Sequence, residues 1–572
     1  MLAVAWVGVR ALLAKGELEA AVPLASQAQA EVIAQDVEAA VATADLLAQH
    51  SAEAAALTSD PIWRAMEVLP WAGENLRGMR VLAAAADRVA AGAVLPLAEA
   101  SASLDLAAFA PVGGRIDLQP IVDLQAPIRD AATAFERADR MIIDEGVDTA
   151  ALIAPLADAR HRLREVLEEA APLIASLDRA SRLAPAMLGA EGPRDVLLLF
   201  QNNAELRSTG GIPGALALLR TDGGGFDLVQ QASTSDFAPF DPPVVDLPLE
   251  TRALWGENTA RYIQNVTFTP QFQIGASVAR EMWARQFGSA PASVVAVDPI
   301  ALSYLLRATG PVSLPSGHEL TADNAVQLLL TDVYAEFPDP SDQDVFFATA
   351  AAAVFEAVSN GGIDPRMLIE ALAQAGDEQR ILIWNADPAE QAILEDTTLA
   401  GGLPTSGDGD QAFGVYLNDM TMSKMDAYLD VQIGSGVQVC RDDGVPQYEV
   451  EVTLTNTAPG DAAAILPSYV LGGGSKYEPG QIATSVHVYS EPGTFNLGVT
   501  QNGETAAYHP TSDAGYTLSK VEATLAPGES TSWRFSFLGD APETRTPVIQ
   551  STPMIYKNEV SGLALSCDFS IS

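Results

Sequence analysis

The residues of this chain with the clearest potential for chemistry stand in one short run, QNNAELRSTGG, at 201–211. An arginine offers a planar fork of donors to an anion, and adjacent glycines let backbone N–H groups face a ligand. The run equally fits a structural role, in which Arg207 pairs with Glu205 or an aspartate and the glycines form a tight turn between strands. We predict ligand-binding residues here and assign no catalytic residue: Asn202, Asn203, Glu205, Arg207, Thr209, Gly210 and Gly211.

Asp298 is a further candidate for ligand binding, because it ends the apolar run SVVAVD at 293–298. Sites in α/β proteins often lie at strand ends, although the same carboxylate could instead cap the helix that begins at Pro299. The acidic residues Asp339, Asp342 and Asp344 resemble a loose cation loop, but Ser341 with Asp344 fits a helix capping box better. The five histidines are dispersed and form no zinc or triad motif. We predict no metal site and no cofactor.

The patterns around these candidates predict a multidomain α+β protein. Residues 21–188 are rich in alanine and carry apolar residues at alternating spacings of four and three, as in the series from Ile33 to Leu47 and from Leu152 to Leu173; they predict an elongated helical bundle. Residues 189–405 alternate short apolar strands with helices and predict an α/β domain. A linker at 404–411 leads to residues 412–572, whose short alternating strands predict an immunoglobulin-like β-sandwich.

Within the α/β region the expected elements surround the candidate site. We predict strands at 195–201, 293–298 and 381–387, a hairpin at 214–233 and helices at 275–286 and 299–310. Thr321 is expected to cap a helix that runs to Tyr334, and Ser341 one that runs to about Val358.

Charge and cysteine content narrow the functional classes. Acidic residues outnumber basic ones 74 to 32, a formal charge of −42, and no stretch is basic enough to bind nucleic acid. The only cysteines, Cys440 and Cys567, both fall in the predicted sandwich. They could form one disulfide or remain as two buried thiols, and an oxidising compartment would favour the disulfide.

The N-terminus is apolar from Met1 to Val9 and is then interrupted by Arg10. Nine residues are too few to span a bilayer, and the basic region of a signal peptide is missing. The segment is either the amphipathic start of the first helix or the outer half of a membrane anchor that begins before this chain. Trp6 would suit the membrane interface in the second case.

Two long segments carry a family resemblance. The run at 201–211, together with VVAVDPIALSYLLRATGPVSLPSGHELTADNAVQLLLTDVY at 294–334, closely resembles the family called domain of unknown function 4012. The segments at 60–82 and 417–430 resemble its actinobacterial members. The resemblance implies an N-terminal anchor, a helical region and extracytoplasmic domains. We therefore favour a partial anchor at 1–20, a single-pass membrane protein and a mostly extracytoplasmic chain.

The segments at 294–314 and 319–330 also resemble, more distantly, the LytR-CpsA-Psr phosphotransferases, which attach glycopolymers from a polyprenyl-phosphate carrier. Those enzymes hold a pyrophosphate with several arginines and magnesium with an acidic residue. Here Arg207 is the only arginine of the first motif, and the acidic DPSDQDVFFATA at 339–350 replaces the later arginine-rich stretch. We expect an envelope protein that binds or organises cell-surface polysaccharide or protein partners. The alternative is a phosphotransferase-like enzyme acting on a polyprenyl-phosphate-linked substrate.

Overall fold

The structure is a computed structural model that describes residues 2–34, 36–70, 72–102, 111–144, 147–359, 362–407, 409–472 and 476–567. It confirms a mixed α+β protein with helices in its N-terminal region and sheets in its C-terminal region. The chain forms two compact units: Met1–Phe109 with Ile116–Ala190, and Ala110–Arg115 with Glu191–Ser572.

The first unit is helical. Its helices are α1 (Leu2–Ile33), α2 (Val37–Thr58), α3 (Pro61–Met66), α4 (Gly73–Val89), α5 (Leu95–Ala102), α6 (Gln119–Asp144) and α7 (Ala154–Met187). Small residues dominate its interior: Ala40 and Ala44 of α2, like Ala131 and Ala138 of α6, are fully buried. Alanine at such positions allows helix axes to approach closely.

On α7, the residues that are buried in the structure are shifted by one position from part of the predicted apolar series. Leu167 and Ile174 are buried on that helix, whereas their predicted neighbours Val166 and Leu173 are at least half exposed. An α-helix has 3.6 residues per turn, so a strict four-three series drifts around it and the buried stripe moves by one residue. In the series that ends at Leu47, the side chain of Ile33 lies outside the described residues.

One described helical segment, Gly73–Ala102, is long and apolar enough to cross a membrane by length and composition, and 44% of its most apolar window is buried within the structure. A core helix of a soluble protein passes the same test. The predicted anchor at 1–20 is a different segment: its residues 2–20 belong to α1, where Val7 and Ala14 are buried, and Met1 lies outside the described residues. Its role as an anchor stays a prediction.

The second unit begins with a mixed five-stranded sheet in the order β3-β2-β1-β4-β7. The strands are β1 (Arg194–Asn202), β2 (Ile212–Asp222), β3 (Gly225–Ser233), β4 (Ser293–Val297) and β7 (Ile381–Asn385). Only β1 and β4 pair in parallel; the other neighbours are antiparallel. The short strands β5 (Val312–Ser313) and β6 (Glu319–Leu320) form a separate hairpin. We call residues 194–394 the sheet region.

Helices of the sheet region lie between these strands. They are α8 (Leu249–Trp255), α9 (Phe272–Phe287), α10 (Pro299–Thr309), α11 (Ala325–Gln327), α12 (Val333–Glu336), α13 (Pro340–Ser359), α14 (Pro365–Asp377) and α15 (Pro388–Leu394). A π-helical turn at Leu328–Asp332 joins α11 to α12.

Two predicted helix caps were wrong. Asp339, rather than Ser341, caps α13: its carboxylate accepts the backbone N–H of Ser341 at 2.9 Å, because Pro340 takes the first helical position. Thr321 accepts the N–H of Asn324 at 3.2 Å in a turn, and the helix begins only at Ala325.

The rest of the unit is a two-sheet sandwich, residues 410–562. One sheet has the order β13-β12-β16-β10-β9-β18 and the other β14-β15-β11-β8-β17. The strands are β8 (Asp410–Asp419), β9 (Leu429–Gln438), β10 (Gln447–Asn456), β11 (Ile482–Ser490), β12 (Phe495–Gln501), β13 (Glu504–Thr505), β14 (His509–Asp513), β15 (Tyr516–Leu525), β16 (Ser530–Leu538), β17 (Thr546–Ser551) and β18 (Val560–Gly562), with the short helices α16 (Ala462–Ile465) and α17 (Ser468–Leu471).

Both sheets of the sandwich contribute to one hydrophobic core. Phe413, on β8 of one sheet, lies 5.4 Å from Phe537, on β16 of the other, ring centroid to ring centroid. Strand β11 is buried along its whole length, because one face meets this core and the other meets the tyrosine cluster around Tyr416 and Tyr489. The immunoglobulin-like class of the sandwich stays a prediction.

Three details of the sandwich bear on the sequence predictions. Strand β8 begins at Asp410, so the predicted linker at 404–411 ends earlier than expected, and Asp408 lies outside the described residues. Cys440, after β9, forms a disulfide with Cys567, after β18, across 127 positions of sequence. The bond therefore connects the end of the described chain to the end of β9.

Candidate functional site

The polar run at 201–211 forms the turn between β1 and β2. A Cβ atom on Gly210, where φ is +129°, would collide with the side chain of Gln201, and one on Gly211 would collide with the carbonyl group of Asn202. The two glycines are therefore explained by the close approach of this turn to its own strand.

Arg207 lies inside the protein, with 5% of its surface exposed. Its Nη1 donates hydrogen bonds to the carbonyl oxygens of Leu206, at 2.8 Å, and Asp419, at 3.3 Å. The guanidinium stacks on Phe268, with its central carbon 4.6 Å from the ring centroid. The guanidinium therefore holds the turn against β8 of the sandwich and is closed to solvent.

Glu205 forms an ion pair with Lys424 of the sandwich, and not with Arg207. The Lys424 ammonium lies 5.2 Å from the ring centroid of Tyr334 and 5.6 Å from that of Tyr469. Burial lowers the pKa of Lys424, but Glu205 more than reverses this, so the pKa is raised overall. Lys424 is thus held in its charged form by Glu205. Asn202 donates a hydrogen bond to the hydroxyl of Tyr334, whose pKa burial raises to about 12.

Two aspartates complete this buried group. Asp426 accepts the backbone N–H of Leu206 at 2.7 Å, and the N–H of Asp419 donates to the Leu206 carbonyl at 2.9 Å. Burial raises the pKa of Asp426, and the nearby Asp419 raises it further. Burial also raises the pKa of Asp419, although Arg207 opposes the change. We call Glu205, Arg207, Asp419, Lys424 and Asp426 the junction cluster, because it joins the sheet region to the sandwich.

Asp298 caps α10, since one carboxylate oxygen accepts the N–H of Ala301 at 2.8 Å. The other oxygen accepts bonds from Arg380, at 2.8 Å, and from the amide of Asn203, at 3.2 Å. Burial raises the pKa of Asp298, and Arg380 opposes this. The structure thus brings Asp298 into contact with the polar run, through Asn203.

The remaining residues of the run are also internal. Thr209 accepts a hydrogen bond from Gln201 at 3.1 Å, and Asn203 donates to the carbonyl oxygen of Pro553 at 3.1 Å. Their predicted part in ligand binding stays a prediction, and the contacts seen here are structural.

A cavity of about 320 Å³ opens beside Arg380, at residues that the sequence patterns did not single out. The turn after α14 forms one wall, and the end of β17 with the segment after it forms the other. Its lining residues are Asp377, Glu378, Gln379, Arg380, Thr398, Ile549, Gln550, Ser551, Thr552, Pro553, Met554, Tyr556, Lys557 and Asn558. The volume is at the lower end of the range of about 300–1,000 Å³ found for small-molecule sites.

Gln379 has an unusual backbone conformation in this cavity wall, with φ at +54°. It is the residue at the end of α14 where the chain turns left-handed, and the N–H of Arg380 returns to the carbonyl of Ala375 at 2.8 Å. Glycine is the usual residue at such a helix end. The sequence has glutamine at 379, where a helix end of this kind usually has glycine. That departure could be recognised only once the end of α14 was known.

Within the described residues, no group of three or more His, Cys, Asp or Glu side chains is placed to hold a metal ion.

The second unit thus consists of a sheet region joined to a sandwich by a buried polar turn, and a cavity lies at the boundary between the sheet region and the sandwich. Residues 191–334, which include the polar run and Asp298, match a family model described as protein of unknown function (DUF4012). This match supports the family resemblance for that segment of the chain. No curated protein and no solved structure matches the chain.

Proposed function

We propose that this protein is a non-catalytic, membrane-anchored protein of the cell envelope that binds or organises cell-surface polysaccharide or protein partners. One observation carries the choice against catalysis: the residues best suited to chemistry are enclosed in the junction cluster and bonded to other groups of the protein. A catalytic group must be able to reach its substrate, and Arg207 is 5% exposed, with Nη1 bonded to two backbone carbonyls.

The environment of Arg207 also disfavours a phosphotransferase. Transfer from a polyprenyl pyrophosphate needs several cationic donors free to face the phosphates. Lys424 is committed to Glu205, and the guanidinium of Arg380 donates to Asp298 and Glu378. The neighbouring aspartates add negative charge, which would repel a phosphate.

The location outside the cytoplasm is supported by two features. A disulfide joins Cys440 and Cys567, and such bonds persist in oxidising compartments. Helix α1 carries apolar side chains that are about half exposed or more: Val4, Trp6, Val9, Leu12 and Leu13. Apolar residues with an interfacial tryptophan suit a lipid-facing helix surface.

The location can be tested in cells that express the full chain. We expect the protein in the membrane fraction, degraded by protease added to spheroplasts, with its cysteines unreactive toward thiol reagents until reduced. Recovery in the cytosol with two free thiols would overturn the proposal.

The absence of catalysis needs a separate assay. The full chain is incubated with a polyprenyl-pyrophosphate-linked oligosaccharide, magnesium and a cell-wall acceptor, and release of polyprenyl phosphate is measured. We expect no release above background. Turnover that Arg207→Lys abolishes, in a variant that unfolds at the wild-type temperature, would establish the enzyme alternative instead.

A further inference from the structure

We infer that the cavity beside Gln379 binds a neutral, hydroxyl-rich group, such as the terminal sugar of a polysaccharide. The inference rests on the proposed binding function and specifies the site and the chemistry of its ligand. Four features of the cavity support it: its polar side chains, its charge balance, the conformation of Gln379 and an exposed tyrosine at its rim.

The polar side chains of the cavity are mostly amides and hydroxyls. Gln379, Gln550 and Asn558 supply amides, and Thr398 and Ser551 supply hydroxyls. An amide presents a donor and an acceptor side by side, and a sugar hydroxyl likewise donates and accepts. Gln550 is already oriented by hydrogen bonds of 2.9 Å to the Gly402 carbonyl and the Tyr416 hydroxyl. This lining suits a polyhydroxylated ligand.

The charges of the cavity disfavour an anionic ligand. Each nitrogen of the Arg380 guanidinium donates to a protein group: Nη1 to Asp298, Nε to Glu378 and Nη2 to the Met554 carbonyl, at 2.7–3.0 Å. The other charged residues of the lining, Asp377 and Lys557, have opposite signs. A phosphate would therefore find no free arginine fork here, whereas a neutral ligand needs none.

Gln379 occupies a backbone position that favours glycine. A side chain in the left-handed region carries a conformational cost that glycine avoids. The side-chain amide of Gln379 makes no hydrogen bond to other residues in the part of the chain that the structure describes. Gln379 also lines the cavity. Residues held in such conformations concentrate at binding sites, where the role of the side chain in binding offsets the conformational cost. Its free amide is available to a ligand.

Tyr556 places an aromatic ring at the rim, with 68% of its surface exposed. A tyrosine offers a flat apolar face together with a hydroxyl group, so it can cover the C–H face of a sugar ring and still form a hydrogen bond. The exposed ring beside partly buried amides gives the cavity both an apolar and a hydrogen-bonding contact.

The experiment measures binding of the full chain to immobilised neutral hexose and pentose oligosaccharides, with inorganic phosphate as an anionic probe in solution. We expect a neutral saccharide to bind and phosphate not to compete. Gln379→Gly and Tyr556→Ala should each weaken binding about tenfold. Tyr262→Ala changes a partly exposed tyrosine outside the cavity and should leave binding unchanged.

Gln379→Gly separates loss of binding from loss of folding. Glycine relieves the left-handed backbone, so the variant should unfold at a higher temperature than the wild type while it binds more weakly. Equal saccharide binding by wild type and both cavity variants would overturn the cavity as the site and leave the proposed function intact. Binding of phosphate alone, or of no probe, would overturn the saccharide assignment. The proposed function is judged independently, by the location and turnover experiments.

Discussion

The junction cluster and the cavity are neighbouring polar regions of the second unit with opposite properties. The segment after β17 contributes to both: Pro553 accepts a bond from Asn203 beside the junction cluster, and Met554 accepts one from Arg380 in the cavity wall. In the junction cluster the charged groups are wholly or largely enclosed, and each bonds to at least one other group of the protein. In the cavity the amide of Gln379 is free and Tyr556 is exposed. A dense polar motif can thus stabilise a fold, whereas the open cavity is lined by residues that no sequence motif distinguishes.

Replacing one lysine in each region gives the largest expected contrast. Lys424→Met leaves Glu205 buried without its partner and should lower the free energy of unfolding by about 3–5 kcal/mol. The matched variant Lys557→Met changes an exposed residue at the cavity rim and should alter it by less than about 0.5 kcal/mol. Calorimetry of the full chain measures both effects.

A double variant sharpens this result. Glu205→Leu with Lys424→Met removes both buried charges, so it should lose less stability than Lys424→Met alone. Similar stabilities for Lys424→Met and Lys557→Met would contradict the structural role of the junction cluster.

The disulfide should affect the cavity more than the junction cluster, because Cys567 follows the segment that lines the cavity. Cys440→Ser with Cys567→Ser removes a bond that closes a long loop and should cost about 2–4 kcal/mol. Hydrogen exchange should accelerate at 549–562 and remain slow at 201–211. Faster hydrogen exchange confined to 201–211 would contradict this prediction, because it would show that the disulfide stabilises the polar turn and not the segment that lines the cavity.

Gly211→Ala tests the steric explanation of the two glycines. Its methyl group would collide with the Asn202 carbonyl, so we expect a loss of about 1–3 kcal/mol in a thermal unfolding experiment. Gly562 has no atom within 4 Å of the position of a Cβ, and Gly562→Ala serves as the control with little change. A tolerated Gly211→Ala that abolished ligand binding would reassign this turn to a binding role.

The smallest expected effect is a difference in pH dependence between Asp426 and Glu378. The pKa of Asp426 is raised by burial and by Asp419, so the folded protein keeps a proton that the unfolded chain loses near pH 4. Its contribution to stability therefore falls as the pH rises toward its folded pKa. Asp426→Asn should remove this fall and change stability at neutral pH by about 1 kcal/mol.

Glu378, in the cavity wall, behaves in the opposite sense. Burial alone would raise its pKa, but the hydrogen bond from Arg380 lowers it overall. Its contribution is present above the unfolded pKa and is lost as the pH falls. In unfolding midpoints measured from about pH 2 to 8, Glu378→Gln should therefore weaken the loss of stability below about pH 4.5, whereas Asp426→Asn should flatten the fall in stability above about pH 4. The same direction of change in both variants would contradict the assignment.

The local pattern was sufficient for the secondary structure around the site. The apolar run at 195–201 became β1 and the run at 293–298 became β4, with ends shifted by at most one residue. These predictions succeed because the period of apolar residues depends on nearest neighbours along the chain. Helix starts were less accurate: at Pro340 the capping group was Asp339, which local rules allowed but did not select.

The sequence by itself placed the polar run between two strands, offered Asp298 as a possible helix cap and determined the acidic, two-cysteine composition, since each follows from residue types or from neighbours along the chain. Only the tertiary structure decided that Glu205 pairs with Lys424, 219 positions away, and that Arg207 is enclosed. It alone placed the turn at Gln379 opposite the segment 549–558 to form a cavity. Burial and long-range pairing depend on the packing of distant segments, and no local pattern contains that information.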